Sequence, residues 1–145
     1  MATAPCRWQA QASLDHPRTG IGAISAQFTA LAELQQEGLI RHLGVSTVSA
    51  DQIAEAQSIA PVACVQNFYN IANRDDDELI HNLASQGIAS APDHPPSPLP
   101  GCCSRSPNML LIPGTSSVAH LRENVAGPVL ALSEADVAEL NTIGA

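Results

Sequence analysis

The chain has 145 residues, 45 % of them hydrophobic, and a net charge of −8, the size and composition of one ordinary globular domain. Its six basic residues are scattered, which excludes a nucleic acid or an anionic membrane held by general electrostatics. No apolar run approaches the roughly 20 residues that cross a bilayer, and residues 1–15 lack the charged-then-apolar pattern of a secretory signal.

Residues 1–22 contain Pro5, Pro17, Gly20 and Gly22 and show no apolar period, so they are expected to be an irregular lead-in. Ile24, Phe28 and Leu31 then recur at helical spacing, and Gly38 is placed to stop that helix. IRHLGVS at 40–46 is a short apolar run suited to a buried parallel strand. Ser49 with Gln52 three residues later has the form of a capping box opening a second helix through Ile53 and Ala56. Pro61 precedes a second strand at 62–66 (VACVQ). Asp75, Asp76, Asp77 and Glu78 open a third helix through Ile80 and Leu83, Gly87 stops it, and a third strand is expected at 88–91. Residues 91–104 (APDHPPSPLPGCCS) hold five prolines, which rules out a helix or a central strand there. A fourth strand is expected at 109–112 (MLLI). Two helices close the chain, at 118–125 and at 133–143, the second with Ser133 and Asp136 as a capping box.

Four cysteines, Cys6, Cys64, Cys102 and Cys103, show no CxxC spacing for zinc or redox chemistry, and a reducing cytoplasm is the expected setting. Strict alternation of helix and strand implies an α/β fold, a parallel sheet with helical crossovers. Four such strands suit either a doubly wound sheet or part of a barrel, and periodicity does not choose between them.

The motifs choose. Residues 29–54 (TALAELQQEGLIRHLGVSTVSADQIA) resemble the aldo-keto reductase pattern of a helix ending in GKIRxIGVSNxS, followed by a glutamine-containing helix. VQNFYN at 65–70 resembles that family's next strand, QxxYN. IPGTSSVAHLREN at 112–124 resembles its signature after the last strand, an IPG[TS] turn leading to HLxEN. The three stand in the family's order, and the resemblance covers residues 23–90 and 105–143.

The resemblance implies a (β/α)₈ TIM barrel, which takes about 250 residues. The chain is therefore expected to form a partial barrel over 23–145, with IRHLGVS as strand five, VACVQ as six, the 88–91 run as seven and MLLI as eight. Strands one to four, and the stretch between seven and eight, are expected to be absent. The proline-rich run at 91–104 interrupts the family pattern, which resumes in register at Arg105. A deletion, a reading-frame slip with its correction, or a misassembled gene would each leave such a scar. A half-barrel leaves strands five and eight as open edges, favouring self-association.

The cofactor that the resemblance implies is NADP(H). The turn at Pro113, Gly114, Thr115, Ser116 and Ser117 leads into a helix whose first free N–H groups and positive dipole end suit a phosphate, with the hydroxyls of Thr115 and Ser116 adding hydrogen bonds. In the family this turn holds the adenosine 2′-phosphate. His120 stands where many members have arginine, and Glu123 and Asn124 stand where the adenine edge is read. The plain structural alternative is a capped helix with a solvated Glu-Asn pair. Ser46, Thr47 and Gln66 lie at the C-terminal ends of strands five and six, where side chains face a barrel's active-site mouth. In the family these positions hydrogen-bond the nicotinamide carboxamide, although Thr47 replaces the usual asparagine and removes one amide donor. Ordinary strand-end polarity is the structural alternative.

Other residues are read as structural. Acids cluster at helix starts to complement the dipole, so Asp75, Asp76 and Asp77 are expected to be a helix start and not a metal site. Tyr69 and Asn70 are expected to pin a loop, and His42 to sit in the core. His16, His81 and His94 lack zinc spacing. The PxxP spacing of Pro92, Pro95 and Pro98 is explained by the scar.

The family reduces carbonyls to alcohols with an aspartate, a tyrosine acid, a lysine and a histidine from the first half of the barrel, because hydride addition leaves an alkoxide that must be protonated. All six basic residues here are arginines, Arg7, Arg18, Arg41, Arg74, Arg105 and Arg122, and the single tyrosine is Tyr69. No catalytic residue carries over. Two expectations follow: a truncated, inactive fragment of an NADP(H)-dependent oxidoreductase of small carbonyl substrates, or a non-catalytic half-barrel that pairs with a partner.

Overall fold

The computed structural model describes residues 8–13, 22–70, 73–92, 106–112, 114–126 and 132–142. They belong to two compact units, residues 1–66 and 67–145.

The first unit is a run of parallel crossovers. It comprises β1 (Trp8–Ser13), α1 (Ser25–Gln36), β2 (Ile40–Ser46), α2 (Ala50–Ile59) and β3 (Val62–Gln66). β2 lies between β1 and β3 and pairs with both in parallel. β1 falls inside the stretch expected to be an irregular lead-in. Trp8, Ala10 and Ala12 do alternate with Gln9, Gln11 and Ser13, but two alanines make a weak strand signal, and pairing with β2 outweighs it. One consequence is that β2, expected as an open edge, is an inner strand.

The register slips twice. Trp8 pairs with Ile40 but Ala10 with Leu43, so Arg41 and His42 together oppose Gln9. A bulge of this kind turns its residues out of the ladder. His42, expected in the core, is accordingly exposed, as is Arg41. Leu43 pairs with Val62 but Gly44 with Cys64, leaving Ala63 as the extra residue on β3.

Helices cover one face of this sheet. Ile24, Phe28 and Ala32 recur every fourth residue and are all buried, with Phe28 only 1 % exposed. Ile53 and Ala56 of α2 are buried likewise, as are Leu43, Val45 and Val65 of the strands. Both glycines expected to stop helices do so with positive φ, Gly38 at 77° and Gly87 at 71°, where a side chain would be strained.

The start of α1 has no cap of its own. Ile24 occupies the cap position and offers no side-chain acceptor. Glu55 of α2 takes that place: its Oε2 accepts from the Ile24 N–H at 3.2 Å and its Oε1 from the Ser25 N–H at 3.0 Å. A carboxylate at a helix start also meets the positive dipole end.

The second unit contains α3 (Asp77–Ser85), β4 (Ala89–Ser90), α4 (Val118–Ala126) and α5 (Glu134–Asn141). Ile80 and Leu83 bury one face of α3, with Ile88 and Ala91 following in the core. Residues 109–112, expected as a strand, make a single parallel bridge, Met109 to Ser90. The Ser90 N–H donates to Asn108 O and the Leu110 N–H to Ser90 O. With a two-residue partner no longer ladder forms, and Leu110 and Ile112 stay exposed. α5 opens on the expected capping box, Ser133 with Asp136. From residue 93 to 104 the proline-rich run lies outside the described residues, as do His16, Cys6, Cys102 and Cys103.

The Glu55 contact has a pH signature. Hydrogen bonds from the Ile24 backbone, and then from Ser25, hold its carboxyl below the usual value. A group whose folded pKa is depressed contributes stability that is whole above its unfolded pKa and lost as pH falls through the folded one. Glu55→Gln is therefore expected to lower the urea midpoint at neutral pH, with the gap to wild type closing from about pH 5 down to about pH 2. A gap of constant size across that range would show that the carboxylate is not the cap.

Candidate functional site

Parallel pairing aligns three residues at the C-terminal ends of the first unit's strands. Ser46, the last residue of β2, pairs with Ser13 of β1 and with Gln66 of β3. Residues paired in this way share a face of the sheet, so Ser46 and Gln66 are neighbours on one face. Ser46 is buried and Gln66 half-buried. Two residues earlier, a Cβ on Gly44 would stand 3.0 Å from the Cys64 carbonyl oxygen, a contact tight enough that the β3 backbone would have to give. The Cys64 thiol there is pushed up in pKa by burial, which makes it a poor nucleophile.

Thr47 follows Ser46 in an unusual conformation. Its φ of 56° is the one positive value at a non-glycine among the described residues. For a β-branched residue this left-handed region costs on the order of 1–2 kcal/mol. The Thr47 N–H donates to the Gln66 carbonyl at 2.8 Å, and the Thr47 Oγ1 stands 3.4 Å from the Ser46 Oγ. Ser46, Thr47 and Gln66 are thus brought together, presenting two hydroxyls and an amide that both donate and accept.

In the second unit the turn at Gly114, Thr115 and Ser116 is exposed and runs into α4. The Thr115 Oγ1 accepts from the Ser117 N–H at 3.1 Å, and the Ser117 Oγ accepts from the His120 N–H at 3.4 Å. Ser117 is therefore the helix cap. It belongs to the expected turn but not to the expected cofactor contacts, and a serine three residues before His120 at a helix start is the signal for a cap. The hydroxyl hydrogens of Thr115 and Ser116 remain available to donate. His120 and Glu123 are exposed and Asn124 is half-buried; spacings of three and four residues place all three along one side of α4. No described residue of α4 is buried.

Tyr69 does what a structural residue does. It is 1 % exposed, and its phenol donates to the Asp77 Oδ1 at 2.5 Å. Arg74 donates to the other oxygen of Asp77, from Nε at 2.9 Å and Nη2 at 2.6 Å. Asn67 donates to Asp76 at 3.1 Å. The acidic helix start thus ties down the loop after β3.

The Aldo/keto reductase family model matches residues 6–95, more than half of the chain. The chain belongs to the aldo/keto reductase family. The match begins ahead of β1, in agreement with the strand found there. Pyridoxine 4-dehydrogenase of Escherichia coli (strain K12) is 47 % identical over 146 residues, covering 84 % of this chain and 51 % of that protein. An uncharacterized oxidoreductase of Schizosaccharomyces pombe is 36 % identical over 143 residues, covering 81 % and 47 %. The chain spans about half the length of these curated relatives. Among solved structures, a thermostable aldo-keto reductase in complex with epalrestat gives a TM-score of 0.77 at 24 % identity, over 95 % of this chain and 61 % of that one. An aldo-keto reductase from Klebsiella pneumoniae in complex with NADPH gives 0.74 at 19 % identity, over 92 % and 58 %. The chain therefore has the aldo-keto reductase fold of the TIM-barrel class, with its parallel sheet and helices.

Asparagine occupies the left-handed region at less cost than a β-branched threonine. Thr47→Asn is expected to stabilise the protein by about 0.5–1 kcal/mol, read from the urea midpoint. A neutral or destabilising result would show that the residue does not adopt this conformation.

Proposed function

We propose that this chain is an NADP(H)-gripping portion of an aldo/keto reductase that binds the dinucleotide without turning over a carbonyl. The observation that carries this is the juxtaposition of Ser46, Thr47 and Gln66 at one end of a parallel sheet. A carboxamide needs a donor and an acceptor side by side, and two hydroxyls beside an amide provide both. In the second unit, taken by itself, a 2′-phosphate suits the turn Gly114–Thr115–Ser116, where the backbone N–H groups and the dipole of α4 favour an anion. His120, Glu123 and Asn124 extend that region along the helix. When bound, NADPH supplies the hydride of the family's carbonyl-to-alcohol chemistry.

The chain's own residues do not supply the proton for such a reduction. Its single tyrosine is buried and donates to Asp77, and it contains no lysine. The E. coli relative's 146 aligned residues meet only 84 % of this chain, so within the aligned span the relative carries residues that this chain lacks. That agrees with an interruption at 91–104. A second reading, self-association, is favoured by β1. Among the described residues it is paired on one side only, and its sequence, WQAQAS, has neither charge nor proline to discourage a further strand.

Calorimetric titration is expected to show NADP⁺ binding roughly tenfold or more tightly than NAD⁺, the value of one charge-assisted contact. Thr115→Ala and His120→Ala should each erode that preference. Equal binding of the two nucleotides, or no effect of either substitution, would reduce the segment to an ordinary capped helix. In the same preparation, NADPH absorbance with a simple aldehyde is expected to stay at the level of a boiled control. Steady loss above it would contradict the non-catalytic part of the proposal.

A further inference from the structure

A strained residue persists only where its surroundings over-determine it, so what fixes Thr47 matters to whatever Thr47 does. On its N-terminal side the fixtures are the strand pairings of Ser46 and the bond from the Thr47 N–H to Gln66 O. On its C-terminal side Val48 is buried, and Ser49 is then held by one side chain, that of Gln52. The Gln52 Oε1 accepts from the Ser49 N–H at 3.0 Å, while the Gln52 N–H donates back to the Ser49 Oγ at 3.3 Å. The same amide reaches further: its Nε2 donates to the Gly22 carbonyl at 3.0 Å, thirty residues away in sequence. Gly22 is itself two residues from the α1 start that Glu55 caps. The half-buried Gln52 amide therefore joins the start of α2 at Ser49, two residues past the strained Thr47, to the approach to α1.

We infer that Gln52 is a positioning residue for the Ser46–Thr47 pair: it touches no ligand, but its two-ended hydrogen bonding fixes the C-terminal side of Thr47 and so holds the two hydroxyls in their binding geometry. This rests on the assignment of Ser46, Thr47 and Gln66 to the nicotinamide end of the cofactor. Helix capping alone would make Gln52 a matter of stability; positioning makes it a matter of which part of the ligand is felt.

Two variants separate the two ends of the amide. Gln52→Ala removes both. Gln52→Glu keeps an acceptor for the Ser49 N–H, as glutamate does in a capping box, and loses the donor to Gly22. Two readouts are taken on the whole chain: amide exchange at Thr47, and affinity for NADP⁺ against 2′-phospho-ADP-ribose, which lacks the nicotinamide. In Gln52→Ala the Thr47 amide is expected to exchange roughly tenfold faster, the factor that an ordinary helix cap represents. NADP⁺ should fall to the affinity of 2′-phospho-ADP-ribose, while the latter binds as in wild type. Gln52→Glu, which keeps one end of the link, should recover only part of both effects. Unchanged Thr47 exchange in Gln52→Ala would overturn the inference, and so would faster exchange with the preference for NADP⁺ intact. If the wild-type chain itself binds the two ligands equally, the assignment of the nicotinamide end has failed, and the exchange readout decides the positioning claim by itself.

Discussion

Much of the first unit depends on one hydrogen bond, from the Thr47 N–H to the Gln66 carbonyl. It is a ladder bond of the Ser46–Gln66 pairing between β2 and β3, and Thr47 turns into the left-handed region directly after it. That turn ends β2 at a fixed point and starts the approach to α2. It also leaves the hydroxyls of Ser46 and Thr47 adjacent beside Gln66. The strain at Thr47 and the assembly of the three polar groups are thus two aspects of one backbone geometry.

The helices are held by side chains that serve more than their own segment. Glu55 and Gln52 both belong to α2, yet their carboxylate and amide satisfy backbone groups at Gly22, Ile24 and Ser25. These links tie the α1 start to α2 while Phe28, Ile53 and Ala56 fill the space beneath. Orphan N–H groups at a helix start must find acceptors, and here a neighbouring helix provides them. In the second unit Asp77 plays a comparable part, receiving Tyr69 and Arg74 and so closing the loop after β3.

Local chemistry was legible where the signal was local. Both capping boxes, at Ser49 with Gln52 and at Ser133 with Asp136, are present as their spacing predicts, and Gly38 and Gly87 stop helices as placed. The family was legible because three motifs kept their order. What depends on pairing was not. β1 has two alanines and two glutamines and takes its form from β2. His42 is exposed because a bulge, invisible in IRHLGVS, turns it out of the ladder. The run MLLI reads as a strand by composition, but among the described residues it makes one bridge, Met109 to Ser90. The Glu55 cap, too, joins residues about thirty positions apart, beyond the reach of any periodicity.

The account turns on whether the Ser46–Thr47–Gln66 group and the Gly114–His120 segment meet the dinucleotide. The most direct measurement is a titration of the isotope-labelled chain with NADP⁺, following every backbone amide by NMR. The account predicts shifts concentrated at Ser46, Thr47 and Gln66 and at Thr115 to His120, with the exposed bulge at Arg41 and His42 unmoved. Shifts that spare both groups, or that are spread evenly over the chain, would contradict it.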